Sequence, residues 1–470
     1  MGSRTRQVST ILMAALVALV NSGAIAGPGA STPAAPRKVF FADPSKGSTT
    51  KGDGSAKKPW GSLQSIIDAN LIDGRARSNG KVGPGDLIYL MSGNHGDIGI
   101  WGPSHTNADF ITIQAGPSQT PIIKTMTMSN CEKWVVRGVT FENIPKAGDR
   151  KVLLNIQQSN EVIIDANKFR SQADVRKWSP RNWATLSAPH AIFTNKLTNS
   201  TISKNIITNV ENGIAVSGDS LDVSNNSVDY FANDGIQFTA SNSIISRNRI
   251  TNHYGLWNNG YHHDGMQGYT AWDERNTKNV VVDGNTVLAS TGAYPLIPPV
   301  STGQGDDYMQ GIVIFQGDWD NLTVTNNVVG AAGFHGLSLF NLKNSSVLNN
   351  TIISQAKNHD SWLGIFGEYK NVVVRNNIAT TYSLPEKGVL FDSNLAFTKS
   401  WQPWQRSIPY TSPEKVFTKW SPSTAQFDFR LAKNSYAIGR GSTRNFAPRD
   451  IVYVNRKPQV VDMGAYVHSR

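Results

Sequence analysis

Residues 260–269, GYHHDGMQGY, place two histidines and an aspartate directly before a glycine and a short apolar stretch. A similar segment, DGIQF, begins at Asp234. Imidazole titrates near neutral pH, and a neighbouring carboxyl group can orient it or exchange a proton with it. Titratable side chains gathered in a cleft are the usual mark of a catalytic site. We therefore interpret His262, His263, Asp264 and Asp234 as candidate catalytic residues.

Two reactions suit these side chains. The first is abstraction of the C5 proton of a uronic acid, in which a histidine or tyrosine is the base and the other is the acid on the glycosidic oxygen. His263, His262, Tyr261 and Tyr254 all lie in the loop where such a base or acid is needed. His262 and Tyr261 are candidates for the acid or for substrate contact, and Asp264 and Asp234 would orient them. The second reaction is inverting hydrolysis, in which Asp234 and Asp264 act as paired carboxyl groups on adjacent coils.

These two aspartates belong to a sequence pattern that recurs along the chain: a polar residue followed by a small residue and an apolar pair. The segments are HAIF, NGIAV, DGIQF, DGMQG, QGIVIF and HGLSLF, headed by His190, Asn212, Asp234, Asp264, Gln310 and His335. The first two gaps are both 22 residues. We therefore expect the six positions to stack on successive coils of a repeat. The predicted substrate groove beside this column is lined by His190, Gln237, Gln267, Gln310 and His335.

An asparagine recurs in the short predicted strands that must position this polar column. Short β-branched runs carry it at Asn167, Asn205, Asn226, Asn248, Asn285, Asn327, Asn350 and Asn377, and the shortest gaps are 21, 22 and 23 residues. This spacing predicts a parallel β-helix, because such a coil buries its apolar face only against neighbouring coils. The asparagines are predicted to stack as an internal ladder.

The longer gaps place extra residues just before the polar column, and loops inserted at one turn of a solenoid project from one face. Tyr254 and Trp257 in these loops are predicted to contact substrate, because flat aromatic faces suit sugar rings. Arg275 is a candidate for neutralising an acidic substrate.

Both ends of the chain depart from the repeat. Residues 1–26 have a basic start, an apolar run and a small-residue cleavage site, which predicts a signal peptide cleaved near Ala26 and a secreted or periplasmic protein. Residues 27–37 are interpreted as a flexible linker. Residues 38–400 are interpreted as the β-helix, with an N-terminal helical cap, and residues 401–470 as an irregular C-terminal cap. The predicted fold class is all-β.

The composition narrows the expected partners. The net charge of +11 is spread along the chain, which favours an acidic polysaccharide over nucleic acid. Cys131 is the only cysteine, so an intrachain disulfide and a cysteine-type zinc site are excluded. No segment after the leader is apolar over a membrane-spanning length, so we expect no membrane insertion. We expect a monomer with no metal site and no required cofactor, with calcium left open.

The chain resembles exported right-handed β-helix enzymes that act on polysaccharides, over nearly the whole mature length. The motifs are DPSKGSTTKGDGSAKKPWGSLQSIID, GPGDLIYLMSGNHG, the asparagine-closed coils and the closing DMGAY. Mannuronan C5-epimerases and related alginate lyases carry Tyr-Gly followed by Asp-Pro-His-Asp, which is similar to Tyr254-Gly255 and Tyr261-His262-His263-Asp264. This resemblance implies that His263 is the base. His262 stands where that family has proline, and Tyr261 stands where it has aspartate.

Polygalacturonase-like hydrolases provide a second resemblance. Their Asp-Gly-Ile, paired aspartate and Gly-His-Gly compare with 234–236, His263-Asp264 and 334–336, although half of the paired aspartate is absent here. Pectate-lyase-like enzymes pair a lysine base with an arginine and often use calcium, and no such pair stands out in this groove. We predict an exported lyase that cleaves an acidic, uronate-containing polysaccharide. The alternatives are an inverting glycoside hydrolase, a uronate C5-epimerase and a non-catalytic carbohydrate-binding solenoid.

Overall fold

The computed structural model describes residues 29–76, 80–102, 105–143, 151–255, 262–270, 276–292, 308–356, 360–400, 402–421 and 426–468. The predicted signal peptide lies outside these ranges. The chain divides into two units. Among the described residues, the N-terminal unit contains those between 29 and 268 together with Tyr308, and the C-terminal unit contains those between 269 and 292 and between 309 and 468.

The N-terminal unit is built from short strands and two short helices. The helices are α1 (Leu63–Asp68) and α2 (Pro180–Leu186). The strands are β1 (Val39–Ala42), β2 (Leu87–Leu90), β3 (Gly93–Asn94), β4 (Asp97–Trp101), β5 (Thr106–Ala115), β6 (Pro121–Ile123), β7 (Thr125–Ser129), β8 (Glu132–Arg137), β9 (Thr140–Glu142), β10 (Leu154–Gln157), β11 (Asn160–Asp165), β12 (Lys168–Arg170), β13 (Ala188–Asn195), β14 (Leu197–Ser203), β15 (Ile206–Ser224), β16 (Ser227–Phe231), β17 (Ile236–Ser241), β18 (Ile244–Ser246), β19 (Arg249–His253) and β20 (Asp264–Gly268).

Each coil of this unit contributes one strand to each of three parallel sheets. One sheet contains β4, β7, β10, β13, β15, β17 and β20 in that order. The second contains β5, β8, β11, β14, β15 and β18, and the third contains β6, β9, β12, β15, β16 and β19. The long strand β15 runs through all three. This arrangement confirms the predicted parallel β-helix.

The predicted N-terminal helix is present and follows β1. Ser62 caps α1, and Leu63 and Ile66 are buried. Residues 29–31, which the sequence assigns to a flexible linker, lie instead against the coils. The Ala30 N–H donates to Thr201 Oγ1 at 3.2 Å, and Ala30 packs against a small apolar cluster. Small residues can pack closely on a strand surface, so a Pro/Ala/Gly-rich composition does not prevent such contacts.

The C-terminal unit repeats the strand pattern and ends in irregular structure. Its strands are β21 (Asn276–Asp283), β22 (Thr286–Leu288), β23 (Gln310–Ile314), β24 (Asp318–Thr325), β25 (Val328–Ala331), β26 (His335–Lys343), β27 (Ser346–Leu348), β28 (Thr351–Ser354), β29 (Trp362–Lys370), β30 (Val372–Arg375), β31 (Ile378–Ala379), β32 (Thr381–Ser383), β33 (Val389–Asp392), β34 (Leu395–Ala396), β35 (Phe417–Ser421) and β36 (Gln426–Leu431). The last two form an antiparallel hairpin. Within the described ranges, neither unit contains a helix of the length and apolarity needed to cross a membrane.

The predicted asparagine ladder is present in both units. In the N-terminal unit, side-chain amides link Asn167 to Asn205 at 3.2 Å, Asn205 to Asn226 at 2.9 Å and Asn226 to Asn248 at 3.0 Å. In the C-terminal unit the ladder joins Asn285, Asn327, Asn350, Asn377 and also Asn394, at 3.0, 2.9, 3.0 and 3.1 Å. In these links the accepting Oδ1 also takes the backbone N–H of the donor asparagine.

The residue before each ladder position adopts a left-handed backbone conformation. In the N-terminal unit these turn residues are Ala166, Lys204, Asn225 and Arg247, with φ between 55° and 58°, and all four are exposed. In the C-terminal unit three of them are Asn326, Asn349 and Asn376, and all three are buried.

The C-terminal tail, residues 432–468, covers those three turns. Asn349 Oδ1 accepts the Ala447 N–H at 3.0 Å, and Asn349 Nδ2 donates to the carbonyl of Asp462 at 3.1 Å. Asn376 Oδ1 accepts the Ser442 N–H at 2.6 Å. The buried Arg456 donates to Asn326 Oδ1 at 3.1 Å and to two tail carbonyls. Tail residues Ala437, Met463 and Ala465 share an apolar core with coil residues.

Candidate active site

Asp234 and Asp264 lie at the starts of successive coils in the N-terminal unit and contact each other directly. The Asp264 backbone N–H donates to Asp234 Oδ1 at 2.7 Å. Each carboxyl group also accepts from the glutamine three residues later, Gln237 at 2.6 Å and Gln267 at 2.8 Å. Asp234 lies in the turn before β17, and Asp264 is the first residue of β20. The alternation of side chains along a strand therefore does not separate either aspartate from the glutamine three residues later. The repeated DG(I/M)Q motif therefore forms two matching carboxyl–amide pairs.

Both carboxyl groups are removed from water. Asp234 is 3 % exposed and Asp264 is 1 % exposed. Burial raises the pKa of Asp234 to about 7, although hydrogen bonds from Asp264 and Gln237 oppose the shift. Burial and the nearby charge of Asp234 raise the pKa of Asp264 well above its usual value. Among the described residues, Asp264 Oδ1 has no hydrogen-bond partner. Burial therefore favours the protonated form of both carboxyl groups.

His263 directly precedes Asp264 and is fully buried. Its Nδ1 lies 3.1 Å from Asn233 Oδ1, and its ring centroid lies 5.0 Å from that of His253. Burial holds the pKa of His253 well below its usual value, and the repulsion that a protonated His263 would exert acts in the same direction. His253 is therefore neutral under ordinary conditions, and the cluster contains a neutral imidazole, His263 and two carboxyl groups. We call His263, Asp234 and Asp264 the acid cluster.

Two side-chain amides lie between the acid cluster and the protein surface. Gln237 and Gln267 are partly exposed, pair in register on β17 and β20, and donate to the two carboxyl groups. His262 is exposed beside the cluster. Asn233, which sequence analysis missed, links His263 to Asn212 and so to the preceding coil.

The other predicted site residues fall in several places. His190 pairs in register with Asn212, as the predicted column requires, and its ring contacts Phe193. Tyr254 stacks on Trp183 at 4.8 Å, so its ring packs against α2. Three predicted residues lie outside the described ranges: Tyr261, Trp257 and Arg275.

Gln310 and His335 belong to the C-terminal unit. Gln310 is buried. His335 Nδ1 lies 2.8 Å from Ser338 Oγ, which also accepts from Trp362 Nε1 at 2.9 Å. Phe334 stacks on Trp362 at 5.6 Å. His335 thus sits in an aromatic environment, with an i to i+3 contact of the same spacing as those of the two aspartates.

No group of three or more His, Cys, Asp or Glu side chains that could hold a metal ion occurs within the described part of the chain. The expectation about calcium stays a prediction.

Comparison with known proteins places the fold. Residues 125–358 match the family model of the right-handed β-helix region. None of the curated proteins matches the chain significantly by sequence. The crystal structure of pectate lyase Pel9A is 14 % identical, with a TM-score of 0.50, over 93 % of this chain and 97 % of that chain. The complex of XylC with xylose is 9 % identical, with a TM-score of 0.52, over 91 % and 98 %.

At these identities the likeness to solved structures shows the fold alone. The strand pairing, the asparagine ladder and the family match agree on one architecture. The chain is a right-handed parallel β-helix, and the family model of the right-handed β-helix region matches its residues 125–358.

Proposed function

We propose that this chain is an exported polysaccharide lyase that cleaves a uronate-containing polysaccharide by β-elimination. The observation that carries the proposal is the acid cluster. It combines an imidazole with two carboxyl groups whose pKa values are raised, and such perturbed groups concentrate at catalytic sites. Structural likeness to pectate lyase Pel9A agrees with the fold that such an enzyme requires.

The roles follow from the protonation states. His263 takes the C5 proton, which is acidic because it lies alpha to the sugar carboxylate. Asp264, whose protonated form is favoured by burial, donates a hydrogen bond to the charge that develops on that carboxylate, as a neutral carboxylic acid can do in an apolar site. The C4–C5 double bond forms as the C4–O bond breaks, and the leaving oxygen receives a proton. His262 and Tyr261 are the candidates for that proton donor.

Access to the acid cluster passes Gln237 and Gln267. A sugar that reaches the carboxyl groups must displace the two amides that now donate to them. The sugar hydroxyl groups then replace those donors, so the buried acceptors do not lose their hydrogen bonds.

Inverting hydrolysis is the second candidate, because one carboxyl group with a raised pKa is the acid that such a reaction needs. That mechanism places a water between carboxyl groups separated by roughly 6.5–9.5 Å. Asp234 accepts the backbone N–H of Asp264, so the two residues lie on directly successive coils, about 4.8 Å apart at the backbone. This closeness argues against inversion. Epimerisation shares the proton abstraction and differs only in how the carbanion is quenched.

The test is the ultraviolet absorbance of the unsaturated uronate product during incubation with a panel of uronate polysaccharides. The wild-type protein is compared with His263→Ala, Asp264→Asn and a matched control, His468→Ala, from the tail. We expect product with wild type and the control, and a loss of roughly 10²-fold or more in the two site variants.

Two outcomes would overturn elimination at His263. Product formation that survives His263→Ala removes this residue from the chemistry. New reducing ends without an unsaturated product move the assignment to hydrolysis through Asp234 and Asp264.

Export and the partner are parts of the same proposal. Residues 1–26 would direct the chain out of the cytoplasm, and its cationic balance would favour encounter with an acidic polymer. We propose that the protein acts as a monomer and without a required cofactor. A chelator added to the assay tests calcium.

A further inference from the structure

One outward column of side chains runs along seven coils of the N-terminal unit. Its members pair in register from β4 to β20: Gly99, Thr127, Asn155, Phe193, Ala215, Gln237 and Gln267. All except Ala215 are partly exposed. Six strand spacings of about 4.8 Å give the column a length of about 29 Å. It ends at the two glutamines that bind the acid cluster.

A second outward column lies beside the first on four of these coils. Its members are Trp101, Ser129, Gln157 and Asn195, in register on β4, β7, β10 and β13. Gln157 Nε2 donates to Asn155 Oδ1, so the two columns are joined by hydrogen bonds. We call the two columns together the hydroxyl–amide face.

Trp101 is exposed on this face. It is 59 % exposed, more than most other large apolar side chains among the described residues. A Cβ atom at Gly99 would stand only 2.4 Å from Trp101 Nε1. The indole therefore lies back over Gly99, and the glycine leaves the room for it. An aromatic side chain that lies against a strand and is more than half exposed is a platform for an apolar surface of a ligand.

Phe193 gives a second aromatic position. The next residue along the column is Ala215, whose methyl group leaves a gap one coil high between the Phe193 ring and Gln237. A sugar ring seated there meets an aromatic edge on one side and an amide on the other.

Every side chain of the two columns is uncharged. Hydroxyl and amide groups donate and accept hydrogen bonds, as sugar hydroxyl groups require, whereas each carboxylate of a polyuronate would need a cation or several oriented donors. We propose that the hydroxyl–amide face binds a run of uncharged sugar residues. The inference deepens the proposed function and rests on it: the substrate is a mixed polysaccharide, with a uronate at the acid cluster and neutral residues extending toward Trp101.

The test is binding, measured by affinity electrophoresis and titration calorimetry. The probes are a soluble glucan, xylan and mannan, and the polyuronates alginate and polygalacturonate, each at low and high salt. The variants are Trp101→Ala and the matched control Tyr410→Ala, an aromatic residue 58 % exposed in the C-terminal unit. Both side chains are exposed, so neither change threatens folding.

We expect wild type to bind at least one neutral polymer with little dependence on salt. Trp101→Ala should weaken this binding about tenfold, which corresponds to one aromatic stacking contact. Tyr410→Ala should bind like wild type. Equal binding by Trp101→Ala and wild type would overturn the inference, as would binding only to polyuronates with affinity that collapses in salt, or binding to none of the polymers.

Binding requires no turnover, so this experiment is separate from the lyase assay. Product formation without neutral-polymer binding would remove the inference and leave the lyase. Neutral-polymer binding without any unsaturated product would support sugar binding by the hydroxyl–amide face and contradict the proposed lyase activity.

Discussion

Two internal columns of polar side chains run through the N-terminal unit, the asparagine ladder and the column of Asn212, Asp234 and Asp264. Both accept backbone N–H groups from a neighbouring coil. The ladder carboxamides also donate, to the next asparagine and to a strand carbonyl, so their hydrogen bonds continue along the axis. A carboxylate has no donor and cannot continue such a chain.

The difference shows what each column is for. A ladder of carboxamides carries no charge and has its polar atoms bonded, which suits a purely structural column. Replacing amides by carboxyl groups at the same depth raises pKa values and costs stability at neutral pH. The N-terminal unit nevertheless contains two successive aspartates beside a histidine. We infer that these positions are kept for chemistry.

The largest effect is expected from placing a carboxylate in the ladder. Asn226 Nδ2 donates to Asn248 Oδ1 at 3.0 Å and to the Ile202 carbonyl at 2.9 Å. In Asn226→Asp both acceptors would face a buried negative charge, so we expect unfolding at pH 7 to become easier by about 3–5 kcal/mol. Thermal unfolding followed by circular dichroism measures this. The control is Asn225→Asp at the adjacent exposed turn, and equal loss in both variants would contradict the special role of the ladder.

The opposite replacement, of a buried carboxyl group by an amide, should raise the stability of the folded protein. In Asp264→Asn the buried titratable group is removed, and the amide replaces a carboxyl group whose pKa is well above its usual value. The folded protein with Asp264 loses stability as pH rises above the ordinary aspartate pKa of about 4, because the unfolded chain then releases the proton more readily. We expect the variant to melt several degrees higher at pH 8 and at the same temperature as wild type near pH 3.

The matched control for that exchange is Asp229→Asn. The Asp229 carboxylate is partly exposed and accepts from Thr251 Oγ1 and Asn252 Nδ2, each at 2.8 Å. Its amide variant should gain no stability at pH 8. If Asp264→Asn melts at a lower temperature than wild type at pH 8, the buried carboxyl group of Asp264 does not destabilise the folded protein.

The smallest effect is expected at the amides that cover the carboxyl groups. Gln267→Met keeps the length of the side chain but removes the donor to Asp264 Oδ2. The hydrogen bond lowers the pKa of Asp264, so its loss should raise that pKa further and move the upper limb of the pH–rate profile to higher pH. We expect a change in rate of only a few-fold at pH 7. An unchanged profile would show that Gln267 does not reach the reacting acid.

The sequence was sufficient to predict the coils and the ladder because both depend on one local rule. Each coil needs an asparagine where a left-handed turn enters a strand, and the turn residue often is itself asparagine, as in Asn225-Asn226. Asn394 escaped prediction because it follows Asn377 by only 17 residues, which is shorter than the repeat.

The site was harder to predict because register and burial are long-range properties. The column of His190, Asn212, Asp234 and Asp264 was predicted as the wall of a groove, but the structure buries both aspartates, and Asp234 accepts the backbone N–H of Asp264. Trp101 escaped notice because it precedes the recognisable repeat. Its place on the hydroxyl–amide face follows only from strand pairing across coils of unequal length.

The tail of the C-terminal unit has a consequence for how that unit comes apart. A solenoid is a one-dimensional array, and its terminal coils can fray singly because each touches only its neighbours. Here Asn326, Asn349 and Asn376 lie on three successive coils, and all three bind one segment from the end of the chain. The terminal coils therefore cannot peel away one at a time while the tail is bound. Resistance to proteolysis and to slow thermal inactivation should be set by release of the tail rather than by the stability of any single coil.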